Sequence, residues 1–414
     1  MRAAVLTIGT EVLIGDIVNT NAAFIAGKLT GLGYYTEEIL TIADDRQAIK
    51  DALTRLFNEY DVVICSGGLG PTSDDITVSV LAPFFHSKMV FSEKVYEQIE
   101  KMFRRRNWEV SETNRLQAMV PDNAMILENT LGTAPGLLFR RGGKVMVALP
   151  GVPFEMKKLM DDHVVPYLSL SFNLNPSPRK YYMFTGIGES NLSDILKDFE
   201  AELKRDKTEI AYLPSPGLIK LRLTLGNRKI EEAEKLIEKY TEKLSLLVPE
   251  HLYSVNGESL PQVVAQLLRK AGKTVALAES CTGGYISHLL TSLPGASEWY
   301  RGGVTAYSNE VKISVLKVKE EDIQKHGAVS RPVAEQMAAG ARKQLQSGFA
   351  VGVTGVAGPD GGTEEKPVGM VWIAVAGSKE TVSRQFFFGN SRERNITRAS
   401  FAALDMLRKM IISD

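Results

Sequence analysis

Two continuous apolar runs of buried-strand length, residues 61–66 (DVVICS) and 144–149 (KVMVAL), each empty without a spacer into a loop led by glycine or proline. The loops are GGLGPT and Pro150-Gly151. A strand that is apolar along its whole length is covered on both faces, as in parallel sheets flanked by helices. Loops that follow such strands lie at their carboxyl ends, where open α/β sheets hold their ligands. Residues 3–8 form another apolar run, ended by Gly9, and residues 20–32 carry helical spacing with Gly33 beyond. The first 170 or so residues therefore read as one α/β domain.

The pattern then changes. Residues 173–178 are turn-rich, and a smaller α+β block follows, with a helix near 193–205, a strictly alternating strand at 218–225 (LIKLRLTL) and a charged helix near 230–247. A second linker is expected at 253–261 (YSVNGESLP), after which a helix at 262–271 and a strand at 274–278 restart the βα pattern. A chain of 414 residues is too long for one core and fits two to three domains of ~100–200 residues. The expected division is 1–170, 171–255 and 256–414: a multidomain α/β protein with a small α+β connector.

Charge narrows the function. Lys+Arg 49 against Asp+Glu 49 gives a formal charge of zero, which argues against general binding to nucleic acid or anionic membrane. The one basic run, residues 101–106 (KMFRRR), reads as a solvated helix face. Cys65 and Cys281 make neither a disulfide framework nor a zinc-type spacing. No apolar run approaches the ~18 residues of a membrane span. The first run is too short for a signal-peptide core, so a cytoplasmic protein is expected.

In the last third, the strand at 274–278 runs into Glu279-Ser280-Cys281-Thr282-Gly283-Gly284 and a helix at 285–290. A serine at a strand-to-helix turn sits where N–H groups and the helix dipole favour developing negative charge. Serine is also a good N-cap, so the turn alone leaves both readings open. Residues 354–362 (TGVAGPDGG), following the strand-like GFAVGVTG, hold four glycines in nine residues. Such a loop suits close approach to a phosphate or carboxylate, but it matches neither the Walker nor the GxGxxG pattern.

AESCTGG, TAYSNEVK, HGAVS, TGVAGPDGG and EEKPVG follow in order from Ala278 to Gly369. Together they resemble the carboxy-terminal domain of the CinA family, which is similar to stand-alone nicotinamide mononucleotide amidohydrolases. The resemblance implies deamidation of nicotinamide mononucleotide to nicotinate mononucleotide and ammonia, with no cofactor. Ser280 is then the nucleophile and Lys312 its base, once burial or nearby positive charge lowers the amine pKa. Tyr307 would orient Lys312 or donate to the leaving ammonia. N–H groups around Thr282 and Gly283 would form the oxyanion hole, and Thr354 and Gly355 would hold the ribose phosphate with one arginine. In GNSRERNITR, Arg392, Arg394 and Arg398 compete for that role, because the acidic residue expected before the first arginine is missing; Arg398 is favoured. Cys281 is the rival nucleophile, read as a packed small residue, and His326 is read as structural.

Near the amino terminus, Gly67, Gly68 and Gly70 with Thr72 lie in GGLGPTSDDIT, where glycines permit contact with a phosphate and paired acids can hold a divalent cation. The same acids can simply cap the next helix. Comparable loops surround Gly9, Asn21 and residues 149–155. GTEVLIGDIVNTN, GGLGPTSDDIT, NTLGTAPG and LPGVPFEM resemble the amino-terminal domain of the same family, similar in turn to the molybdopterin-binding (MoaB/MogA-like) proteins. That resemblance implies hydrolysis of ADP-ribose to AMP and ribose 5-phosphate with a divalent metal (Mg, Mn or Co), for which Asp45, Asp75 and Glu155 are the candidate ligands. The alternatives are a non-catalytic pterin or nucleotide pocket beside the deamidase, or a competence-related scaffold. Residues 171–255 resemble the KH-like connector, but its glycines, Gly186, Gly188, Gly217 and Gly226, leave no GxxG clamp for nucleic acid. The resemblance also implies a homodimer.

Overall fold

The computed structural model describes every residue except Ser73, Asn173, Asn175 and Asn227. Ser73 of the predicted glycine loop and Asn173 and Asn175 of the first predicted linker thus lie outside the described residues. The chain divides into two compact units, Met1–Ser177 and Pro178–Asp414.

In the first unit six strands form one sheet, in the order Tyr35–Ile42, Arg2–Ile8, Val62–Ser66, Lys144–Leu149, Gly136–Arg141, Met125–Leu127. The first four are parallel and the last two antiparallel. The unbroken apolar runs have the cause that their pattern suggested. Ala4, Leu6, Ile8, Val63 and Cys65 enter the core on one face, and Ala3, Val5, Val62 and Ile64 enter the core on the other. Helix Arg46–Glu59 covers the first face and helix Thr20–Gly31 the second. Four parallel strands therefore deliver their following loops to the same edge of the sheet. The basic run falls on helix Glu93–Arg105 and just beyond it, with Lys101, Arg104, Arg105 and Arg106 exposed and Phe103 turned to the core.

The second unit holds two sheets. A four-stranded antiparallel sheet has the order Glu209–Ser215, Leu218–Thr224, Arg179–Thr185, Leu252–Ser254. Strand Leu218–Thr224 alternates half-buried and buried residues, as its alternating sequence requires, and helices Glu189–Arg205 and Ile230–Leu247 cover its buried face. The second predicted linker is shorter than expected. Leu252–Ser254 completes this sheet, and the next helix, Leu260–Ala271, begins inside the predicted linker. A capping box between Ser259 and Gln262 opens that helix and Gly272, at φ +61°, closes it.

The five-stranded sheet has the order Tyr300–Thr305, Val275–Glu279, Phe349–Gly355, Met370–Ala376, Thr381–Phe387. Its first three strands are parallel and the last two run antiparallel. Val275, Leu277, Val351 and Val353 face helices Leu260–Ala271 and Arg392–Ser413. The opposite face is built of Ala276, Ala278 and Ala350. Helix Arg331–Gln344 lies so close to it that a Cβ on Gly352 would come within 2.5 Å of the Ala334 carbonyl. Small residues on one face thus set the distance at which the site-bearing strands are held. Among the described residues no helix is long and apolar enough to cross a membrane.

Candidate active site

Strand Val275–Glu279 ends beside strand Phe349–Gly355, and the Ser280 N–H donates to the Val353 carbonyl at 2.9 Å. The chain then turns through Gly283 and Gly284, both at positive φ, into helix Tyr285–Thr291. Lys312 arrives from a separate element, the short helix Asn309–Ser314, whose first turn is capped by the Ser308 hydroxyl accepting from the Val311 N–H. Its side chain is 1% exposed. Nζ lies 3.1 Å from Ser280 Oγ, 2.8 Å from the Ala306 carbonyl and 3.3 Å from the Tyr307 carbonyl.

This geometry limits what the amine can do. A carbonyl only accepts, so the two backbone oxygens take two N–H bonds and leave the third tetrahedral direction towards Ser280. In the ammonium form that direction is a donor; in the neutral amine it is a lone pair facing the serine hydroxyl. Burial pushes the Lys312 pKa below the ordinary lysine range, against smaller raising effects from Cys281 and Glu310. The neutral form is the one that can take the Ser280 proton. Cys281 is buried in the apolar core, and burial pushes its thiol up to about 12, which keeps it un-ionised and a poor rival.

Other expected residues fall differently. Tyr307 holds Lys312 through its backbone carbonyl, while its ring is exposed and its hydroxyl accepts from Arg392 Nη2 at 3.1 Å. Arg392 also donates to the Gly358 carbonyl at 2.8 Å, and so joins Tyr307 to the 354–362 loop. Arg398, the arginine favoured from the sequence, instead donates to the Phe388 carbonyl, and its Cγ would lie 3.7 Å from a Cβ placed on Gly217, in the turn between two strands of the connector sheet. The two lie six residues apart on one helix, about 240° around its axis, so only one can face the site. The Gly283 N–H is already taken by the Ser280 carbonyl at 3.1 Å. Among the described residues, the N–H groups of Cys281 and Thr282 are outside every backbone hydrogen bond of the turn, which moves the available donors one residue earlier than expected. Thr354 is buried and donates its hydroxyl to the Ala328 carbonyl at 2.9 Å. Gly355 is a packing glycine: a Cβ there would meet Val371 and the Met370 carbonyl within 2.8 Å. His326 ends helix Glu320–His326, with an exposed side chain and a carbonyl that accepts from Lys366. Glu279 has a buried carboxylate that accepts from Gly284, Ile286 and Ser287, and its only signal in the sequence is an acid at a strand end before a serine turn.

In the first unit, the four parallel strand ends frame a cleft of ≈ 480 Å³, lined by Asn21, Gly67, Gly68, Gly70, Asp75 and Glu155 among others. Thr72 is not in its wall: it donates from both N–H and hydroxyl to Asp75 Oδ2. Asp45 is also displaced, because its carboxylate caps helix Arg46–Glu59 by accepting the Ala48 N–H at 2.8 Å. Its neighbour Asp44 lines the cleft instead and accepts from Thr10. Glu155 is nearly buried and accepts from Asn129 Nδ2 at 2.7 Å; burial raises its pKa, and the Asn129 bond offsets this in part. The glycines answer to these side chains. A Cβ on Gly70 would lie 2.5 Å from Asp75 Oδ2, and one on Gly132 2.0 Å from Glu155 Oε2. Among the described residues no three acids, histidines or cysteines are grouped as a metal site. Of the candidate ligands, Asp75 and Glu155 line the cleft, together with Glu11, Asp44 and Asp74, while Asp45 does not.

Three family models match the chain: the Probable molybdopterin binding domain over residues 4–170, the Damage-inducible protein CinA KH domain over 179–254, and the CinA C-terminal domain over 257–411. A CinA-like protein of Cytophaga hutchinsonii is 39% identical over 409 residues, 99% of this chain and 98% of that one. A CinA-like protein of Dictyoglomus turgidum is 38% identical over the full length of both. A solved CinA of unknown function from Thermoplasma acidophilum is 38% identical, with a TM-score of 0.36, covering 39% of this chain and 94% of its own.

Proposed function

The chain belongs to the CinA family of competence/damage-inducible proteins, and we propose that its second unit deamidates nicotinamide mononucleotide through an acyl-serine on Ser280. The observation that carries this reading is the 3.1 Å approach of a buried lysine amine to a serine oxygen at a strand end. Neutral Lys312 takes the hydroxyl proton as Ser280 Oγ attacks the carboxamide carbon. The oxyanion that forms is met by the Cys281 and Thr282 N–H groups. Lys312 then gives the proton to the departing nitrogen, and ammonia leaves. Water, deprotonated by the same amine, cleaves the ester to give nicotinate mononucleotide and to restore Ser280. Arg392 and Tyr307, at the exposed side of the pair, are the groups suited to the 5′-phosphate.

Ammonia release from nicotinamide mononucleotide by the full chain tests the reading; if wild-type protein releases none while Ser280 and Lys312 are intact, the substrate assignment is wrong.

For the first unit we propose the binding alternative ahead of metal-assisted hydrolysis of ADP-ribose, because the acids of its cleft are not grouped as a metal site among the described residues. Its cleft combines polar side chains with backbone turns, which suits a phosphorylated nucleotide or pterin. Incubation of the full chain with ADP-ribose and Mg, Mn or Co, with AMP measured, separates the two. Metal-dependent AMP formation that disappears in Asp75→Asn restores the hydrolase.

A further inference from the structure

The turn that carries Ser280 lacks the usual helix cap. Helix Tyr285–Thr291 begins after Gly284, at φ +97°, which has no side chain to accept the first N–H groups. Glu279, five residues upstream of Gly284, does this instead. Oε2 accepts from the N–H groups of Gly284 at 3.1 Å and Ile286 at 3.0 Å, while Oε1 accepts from the Ser287 N–H at 2.8 Å and the Ser287 hydroxyl at 2.7 Å. Ser287 Oγ in turn accepts from the Tyr300 hydroxyl at 2.7 Å. The carboxylate is 1% exposed and has no basic partner among the described residues, so four donors replace its hydration.

Glu279 is also the last residue of the strand before Ser280. Its backbone fixes one end of the serine turn and its side chain fixes the other, which closes residues 280–284 into a ring. We propose that Glu279 is the positioning residue for Ser280, holding the hydroxyl on the Lys312 axis and leaving only the Cys281 and Thr282 N–H groups free for an oxyanion. The inference rests on Ser280 being the nucleophile, as proposed above, but not on the identity of the substrate. All four contacts of the Glu279 carboxylate are to Gly284, Ile286 and Ser287 and none is to the Lys312 amine, so its effect is on the geometry of the turn.

A probe that needs no cognate substrate tests this in the full chain. A fluorophosphonate modifies an activated serine, its site is read by mass, and its rate is followed against pH. Glu279→Gln puts an NH₂ where at least one donor now points. It should still unfold cooperatively, yet label Ser280 about tenfold more slowly or worse, with the midpoint of the pH profile unchanged. Labelling within twofold of wild type, or a moved midpoint, overturns the proposal. If Glu279→Gln does not fold, Ser287→Ala removes only one of the four donors and should slow labelling by about threefold; a wild-type rate there overturns it equally. Wild-type protein that labels at Ser280 but releases no ammonia from nicotinamide mononucleotide faults the substrate and leaves Glu279 testable by the same rates.

Discussion

The Ser280 turn and the Gly67–Asp75 loop both follow parallel strands, and both are rich in glycine, but they are finished in opposite ways. Around Ser280 the reactive groups are buried and point at one another across elements 32 residues apart. Around Gly67 and Asp75 the acids stand in an open cleft and each meets a small polar partner, Asp75 with Thr72, Asp44 with Thr10 and Glu155 with Asn129. The difference is what each needs before a ligand arrives. A serine nucleophile of the kind proposed is inert without a preset base, which a buried lysine supplies at some expense of stability. A binding cleft of the kind proposed for the first unit, working through turns and carboxylates, needs only a shape and unneutralised charge.

The largest expected effect breaks the comparison at its stronger side. Ser280→Ala should lower ammonia release at least about 10³-fold, whereas Cys281→Ala should retain activity; the opposite order would move the nucleophile by one residue. Lys312→Met comes next, with a loss of about 10²- to 10⁴-fold and a flattened pH profile in place of a rate that rises as the amine deprotonates. Arg392→Ala should raise KM about tenfold, the worth of ~1.4 kcal/mol of phosphate contact, while Arg398→Ala leaves KM within about twofold; equal effects would mean that the helix face has been misassigned. In the first unit Asn129→Ala strips the amide partner from the nearly buried Glu155 and should cost about 1–3 kcal/mol in denaturant unfolding. An unchanged midpoint would show that the cleft acid is solvated. The smallest effect concerns stability. Because the folded pKa of Lys312 is lowered, the unfolded chain binds more protons between that value and the ordinary lysine value. Wild type should therefore gain stability relative to Lys312→Met as pH rises through this window, with its full deficit below it, measurable by paired thermal melts.

Legibility in the sequence followed the range of the cause. Strand 62–66 and the helices at 20–31 and 230–247 were visible because periodicity and glycine stops act within a few residues. Lys312 was visible only through resemblance to a family: by itself it reads as an ordinary surface lysine of a short charged helix. Asp44 and Asp45 are adjacent and chemically alike, and nothing local says which caps and which lines the cleft. The same holds for Arg392 and Arg398. The sequence suggests a longer linker at 253–261 than the structure has, because a three-residue edge strand carries too little pattern to register.

The residues themselves determined that parallel strands would be covered on both faces and would end in glycine turns, since burial and backbone freedom are properties of each position. Which side chains meet at those turns was decided by packing alone. A direction in space depends on how far one element is rotated against another, and no spacing along the chain encodes that angle.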